Sequence, residues 1–107
     1  MGEPPFFRHI TKGLAEEFIR GAGNDPSRMF ITEHAQEEME EAGVDRLQVT
    51  RCLKEGRLIG NPYWDTDARQ HKIKVRTVSA GQRFELIGAF DVEDTEGNVN
   101  IVTVYDL

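Results

Sequence analysis

Three stretches of the chain carry apolar residues at helical spacing, and four later ones carry them in alternation or in short runs. The first helical stripe is Leu14, Ala15, Phe18 and Ile19, with Thr11 placed as its N-cap and Gly21 and Gly23 as its stop. Asn24-Asp25-Pro26 turns the chain, and Met29, Phe30 and Ile31 form a brief extended lead-in. Thr32 caps a second helix, whose apolar side is Ala35, Met39 and Ala42. Its first turn carries Glu33, which suits the positive end of the helix dipole, and Gly43 ends it. Asp45, with Gln48 three residues on, opens a third helix in capping-box spacing. Leu47, Val49, Cys52 and Leu53 are its apolar positions, and Gly56 closes it. Residues 32–56 therefore predict a helix hairpin with a very short joint.

After Gly56 the period changes from helical to extended. Leu58 and Ile59 predict a first strand with a sharp exit at Gly60-Asn61-Pro62. Residues 71–77 alternate: Ile73 and Val75 face one way, Lys72, Lys74 and Arg76 the other. Ala80-Gly81 reads as a hairpin turn. Residues 84–90 and 99–105 are apolar on both faces, so they predict central strands, with the polar loop 93–98 between them. The expected fold class is α+β: a helix hairpin on one face of a three- to four-stranded antiparallel sheet, with an extra N-terminal helix. Residues 1–28 are the expected lead and helix, and residues 29–107 the α+β domain.

Composition narrows the function classes. The chain has 107 residues, enough for one core, and its 38% hydrophobic and 30% charged residues are an ordinary globular balance. So small a unit is compatible with a self-dimer or a stabilising partner. Cys52 is the single cysteine, which excludes an intramolecular disulfide and a cysteine-based zinc cluster. The N-terminal residues lack the regions of a signal peptide, and no stretch approaches bilayer-spanning length, so a cytoplasmic protein without membrane contact is the expectation. No P-loop, dinucleotide fingerprint, EF-hand or zinc spacing is present, and neither a cofactor nor a metal is expected.

The formal charge is −6, unlike that of a nucleic-acid binder, but the charge is segregated. Glu33, Glu37, Glu38, Glu40 and Glu41 crowd the second helix; Arg69, Lys72, Lys74, Arg76 and Arg83 crowd the strand region; no Lys or Arg follows Arg83. One basic patch on an acidic body is expected, and a local patch can hold a phosphate chain despite the overall sign.

The order of elements resembles the layout of RelE/ParE-like toxins. The wording is closer to a bacterial family of unknown function marked by His-Ala-x-x-Arg-Met-x-x-Arg-Gly-Ile after a Ser or Thr, and by a last strand like Val-Thr-Val-Tyr. This chain has Thr32-Glu33-His34-Ala35, Met39, Gly43-Val44 and Val102-Thr103-Val104-Tyr105. The similarity covers about residues 29–107. The motif's two arginines correspond to Glu38 and Ala42, so no phosphate contact is available from those positions.

The resemblance implies a toxin or toxin-derived half of a toxin–antitoxin pair and, if it is active, a metal-independent ribonuclease. Its partners would be an antitoxin or another protein, and single-stranded RNA. Such cleavage needs a base, an acid and a cation at the phosphoryl group. The candidate catalytic residues are His34, Lys74 and Arg76. Tyr63, Trp64, Lys72 and Arg83 are candidates for contact with a strand or partner. His71 borders the basic strand but points to its other side. Each candidate has a plainer role: alternating Lys and Arg solubilise a sheet face or shield an edge, and His34 packs or caps its helix. The alternative function is a non-catalytic binding module or inhibitor, engaging a basic surface through its acidic helix and the acidic region from Glu85 to Asp106.

Overall fold

The local signals for helix starts produce three helices in a computed structural model that describes residues 9–78, 81 and 83–107. Thr11 caps α1 (Lys12–Asn24), its hydroxyl accepting the Leu14 N–H. A 3-10 turn (Pro26–Arg28) leads into β1 (Met29–Ile31). Thr32 caps α2 (Glu33–Ala42), which a left-handed Gly43 ends. Asp45 and Gln48 form a complete capping box at the start of α3 (Arg46–Glu55), satisfying N–H groups a helix start leaves free. Four strands follow: β2 (Arg57–Asp65), β3 (Gln70–Arg76), β4 (Phe84–Phe90) and β5 (Val99–Asp106).

The strands pair in the order β1-β5-β4-β3-β2. β1 runs parallel to β5, and the other pairings are antiparallel. The expected three- to four-stranded antiparallel sheet is thus a five-stranded mixed one among the described residues. At three residues β1 is too short to show alternation, and its partner Val99–Ile101 is remote in sequence. β2 continues through the expected exit to Asp65, because the pairing shifts register between Ile59 and Tyr63, where Gly60 takes a φ of 72°. Ala80 of the expected hairpin turn lies outside the described residues.

The helices cover one face of the sheet. Ile19 of α1 lies against Gly88, Phe18 stacks on Phe90 at 4.6 Å, and the Cys52 thiol of α3 points at the Val75 carbonyl. Contrary to expectation, α2 and α3 diverge after their short joint, α3 packing on α1 and α2 on β5. Nor do Gly21 and Gly23 stop α1: Gly23 lies where α1 crosses α3, and a Cβ there would stand 2.7 Å from the Lys54 nitrogen. Leu47 is 69% exposed instead of apolar core. At about 100° per residue it falls on the far side of α3 from Val49, Cys52 and Leu53. The core joins Ala15, Ile19 and Ala22 of α1 to Met39, Leu53, Ile73, Leu86, Phe90 and Ile101, so the N-terminal helix shares one interior with the sheet.

Cys52 is 3% exposed, and burial pushes its thiol up to about 12. The native protein is therefore expected to resist a thiol reagent such as dithionitrobenzoate at pH 8 and to react fully once denatured. Prompt native labelling would show that the α3–β3 contact opens readily.

Candidate functional site

The face left open by the helices is built by alternation. On β3, His71, Ile73 and Val75 are buried under the helices, which turns Lys72, Lys74 and Arg76 to the other side. The register places Arg76 opposite Glu85 and Glu85 opposite Tyr105, so one row crosses three strands. β3 is an interior strand, so its cations do not shield a sheet edge.

Glu85 is the centre of this row. It is 3% exposed although it belongs to the open face, because long neighbouring side chains lie over it. Its Oε2 accepts from Arg76 Nε at 2.5 Å and is also ion-paired with Arg76 Nη2. Its Oε1 accepts from the Tyr105 hydroxyl at 2.5 Å and lies 3.9 Å from Lys74 Nζ. Burial pushes the carboxyl up, but the hydrogen bonds from Tyr105 and Arg76 and the charges of Arg76 and Lys74 outweigh it. The net result is a carboxylate held below its ordinary range. Burial and the bond to Glu85 push the Tyr105 hydroxyl up, so it keeps its proton at neutral pH. A hydrogen bond with Tyr105, then the charges of Tyr105, Glu85 and Tyr63, hold Lys74 above its ordinary value.

A second row lies further along the strands: Tyr63, Lys72, Ala89, Asn100 and Phe30 stand opposite one another in turn. Lys72 Nζ is 2.6 Å from Asp65 Oδ2, and that hydrogen bond is the main reason the Asp65 carboxyl sits below its ordinary value.

The sequence candidates separate into groups. Lys72, Lys74 and Arg76 share the open face with Tyr63. Trp64 pairs with the core-side His71 and meets its ring edge-on at 4.9 Å, so it lies on the covered face. Arg83 is exposed immediately before β4, its carbonyl accepting the Leu107 N–H. His34 is exposed on α2, its Nε2 3.5 Å from Glu38 Oε1. That helix packs on β5, two strands away from β3, so His34 is not grouped with Lys74 and Arg76. The Glu38 carboxylate also accepts the Val104 N–H at 2.9 Å, capping β5 where it runs past the end of β1.

Glu85, Tyr105 and Asp65 are the site residues that sequence reasoning missed. For Glu85 the signal was present: it is the one charge inside the apolar run Phe84–Phe90, at the parity that faces away from Phe84 and Leu86.

No curated protein and no solved structure matches the chain. The family model described as domain of unknown function (DUF4258) matches residues 31–106, from the last residue of β1 to the last of β5, leaving α1 outside. The chain belongs to the DUF4258 family of domains of unknown function.

Proposed function

We propose that the protein is a RelE/ParE-like toxin, or a protein derived from one, whose open sheet face cleaves single-stranded RNA without a metal ion. The observation that carries this reading is the buried Glu85, which fixes Arg76, Tyr105 and Lys74 around one point of an open sheet face. Burying a carboxylate costs several kcal/mol by order of magnitude, and such groups are often kept to position others.

The chemistry follows from the hydrogen bonds. The Tyr105 oxygen takes the 2′-hydroxyl proton as its own proton moves to Glu85 Oε1. The freed 2′-oxygen attacks phosphorus and the bond to the 5′-oxygen breaks, leaving a 2′,3′-cyclic phosphate. Lys74 delivers a proton to the departing 5′-oxygen, and Arg76 offsets the charge that builds on the phosphoryl oxygens. An antitoxin would silence the protein by covering this face.

Expression of the protein and of Lys74→Ala/Arg76→Ala in bacteria, with growth and RNA integrity followed together, tests the proposal. Growth arrest with RNA cleavage is expected from the parent and neither from the variant. Normal growth with intact RNA, at confirmed soluble expression of the parent, would count against it.

One observation favours the second reading, a non-catalytic acidic module that binds a basic protein surface. Lys72, Lys74 and Arg76 all have carboxylate partners, whereas Glu33, Glu37, Glu40 and Glu41 are exposed on α2. Under that reading, charge reversal at Glu37 and Glu41 abolishes function and reversal at Lys74 and Arg76 does not.

A further inference from the structure

The row beyond the Glu85 cluster holds the two exposed aromatic side chains of the described residues, Phe30 at 50% and Tyr63 at 47% exposure. Isolated exposed apolar residues are ordinary on any protein surface. These two are not isolated from each other in the architecture. Phe30 is opposite Asn100, Asn100 opposite Ala89, Ala89 opposite Lys72 and Lys72 opposite Tyr63. Both ends of the row therefore lie on the open face, because Met29, Val99, Phe90 and His71, their neighbours in sequence or in register, are buried beneath the helices. Four strand spacings separate them, about 19 Å.

Between the aromatics the row is polar, and Ala89 at its centre is fully buried beneath its neighbours. Ala89 has no side chain beyond Cβ and is flanked by the Asn100 amide and by Lys72, which Asp65 holds in place. Lys74 and Arg76 are two and four residues further along β3, about 7 and 13 Å away. An aromatic platform at each end, a hydrogen-bonding floor between and cations alongside match what a single nucleic-acid strand presents: unstacked bases and a phosphate chain. A duplex keeps its base faces stacked inside and has nothing to lay on either ring.

We infer that the row Tyr63–Lys72–Ala89–Asn100–Phe30 is the track for the single strand, with Tyr63 and Phe30 stacking on bases that flank the site of cleavage. The inference rests on the proposed RNA function and adds to it the path of the unpaired strand, which lies across the β-strands. Lys74 and Arg76 contact the backbone, while the aromatic ends supply affinity that does not depend on salt.

Fluorescence anisotropy with a labelled 2′-O-methyl oligoribonucleotide, which cannot be cleaved, tests it in single-stranded and duplex form over a salt series. The single strand is expected to bind more tightly than the duplex. Phe30→Ala and Tyr63→Ala are each expected to weaken single-strand binding at least about fivefold without changing the salt slope. Tyr63→Phe keeps the ring and should bind like the parent, and Lys74→Ala/Arg76→Ala should flatten the salt slope. Both aromatic positions are exposed, so thermal melting should be nearly unchanged in these variants. Parent-like binding by Phe30→Ala and Tyr63→Ala, with the basic pair still required, would overturn the track and leave the RNA function standing. Equal binding of the duplex would also overturn the track, and no binding by the parent would overturn both.

Discussion

Replacing Gly56 by alanine is expected to destabilise the protein by about 3 kcal/mol, lowering its melting temperature by roughly 15 °C. Gly56 lies between α3 and β2, where its N–H is bonded to the Cys52 carbonyl at 2.7 Å and its own carbonyl accepts from Arg20 at 2.7 Å. A Cβ at this position would stand 2.5 Å from the Cys52 oxygen, 2.8 Å from Val75 Cγ1 and 2.9 Å from the Arg76 oxygen. Two of those three contacts are backbone atoms, which cannot turn aside as a flexible side chain can. The helix end would have to lift from β3, and the Arg57–Arg76 pairing that opens the β2–β3 ladder would move with it. Gly13→Ala is the control. Its Cβ would meet nothing closer than the Thr11 hydroxyl at 3.8 Å, and alanine is the better helix former by up to about 1 kcal/mol. Urea or thermal unfolding should therefore move the two variants in opposite directions. Equal stability of Gly56→Ala and the parent would show that α3 is not seated as tightly on the sheet as this geometry requires.

What could be read from the sequence was what neighbouring residues decide. Thr11, Thr32 and Asp45 start helices through bonds to N–H groups three residues away, so their short spacing is enough to find them. The alternation of β3 likewise assigns Lys72, Lys74 and Arg76 to one face without knowledge of their neighbours. What escaped depends on distant partners. β1 is a strand only because Val99–Ile101 lies beside it, and Gly23 is needed inside α1 because α3 crosses there and leaves no room for a Cβ. Tyr63 and Trp64 are both candidates for contact with a strand or partner in sequence, yet successive strand residues point to opposite faces, and their pairing with Lys72 and His71 puts them on different sides of the sheet. The candidate site shows the same division. Its cations were legible, whereas the carboxylate that organises them was counted with an acidic surface region, because only the registers of β3, β4 and β5 bring Arg76, Glu85 and Tyr105 into line.

Glu85→Gln is expected to separate the positioning of the cluster from the phosphate binding proposed for it. Glutamine keeps the shape and can still accept from Tyr105, but it loses the charge that faces Arg76 and Lys74. Hydrogen bonds to charged groups contribute about 2 kcal/mol each, so a loss of about 2 kcal/mol is expected at pH 7. The folded carboxyl lies below its ordinary value of 4.5, so the ionised form is the one the fold favours. Its stabilising contribution is complete above that value and disappears as pH falls through the lower, folded value. The stability gap between parent and variant should accordingly be widest at neutral pH and close progressively below about pH 4.5. Under the proposed RNA function the two effects have opposite signs. Removing an anion beneath the phosphate site leaves Arg76 and Lys74 with more net positive charge, so oligonucleotide affinity should hold or rise. Turnover should fall by about tenfold or more, because the proton acceptor behind Tyr105 is lost and Arg76 is no longer held in place. A variant that melts like the parent across the whole pH range, or that cleaves RNA at the parent rate, would reduce Glu85 to a passive buried charge and remove the basis for a site organised around it.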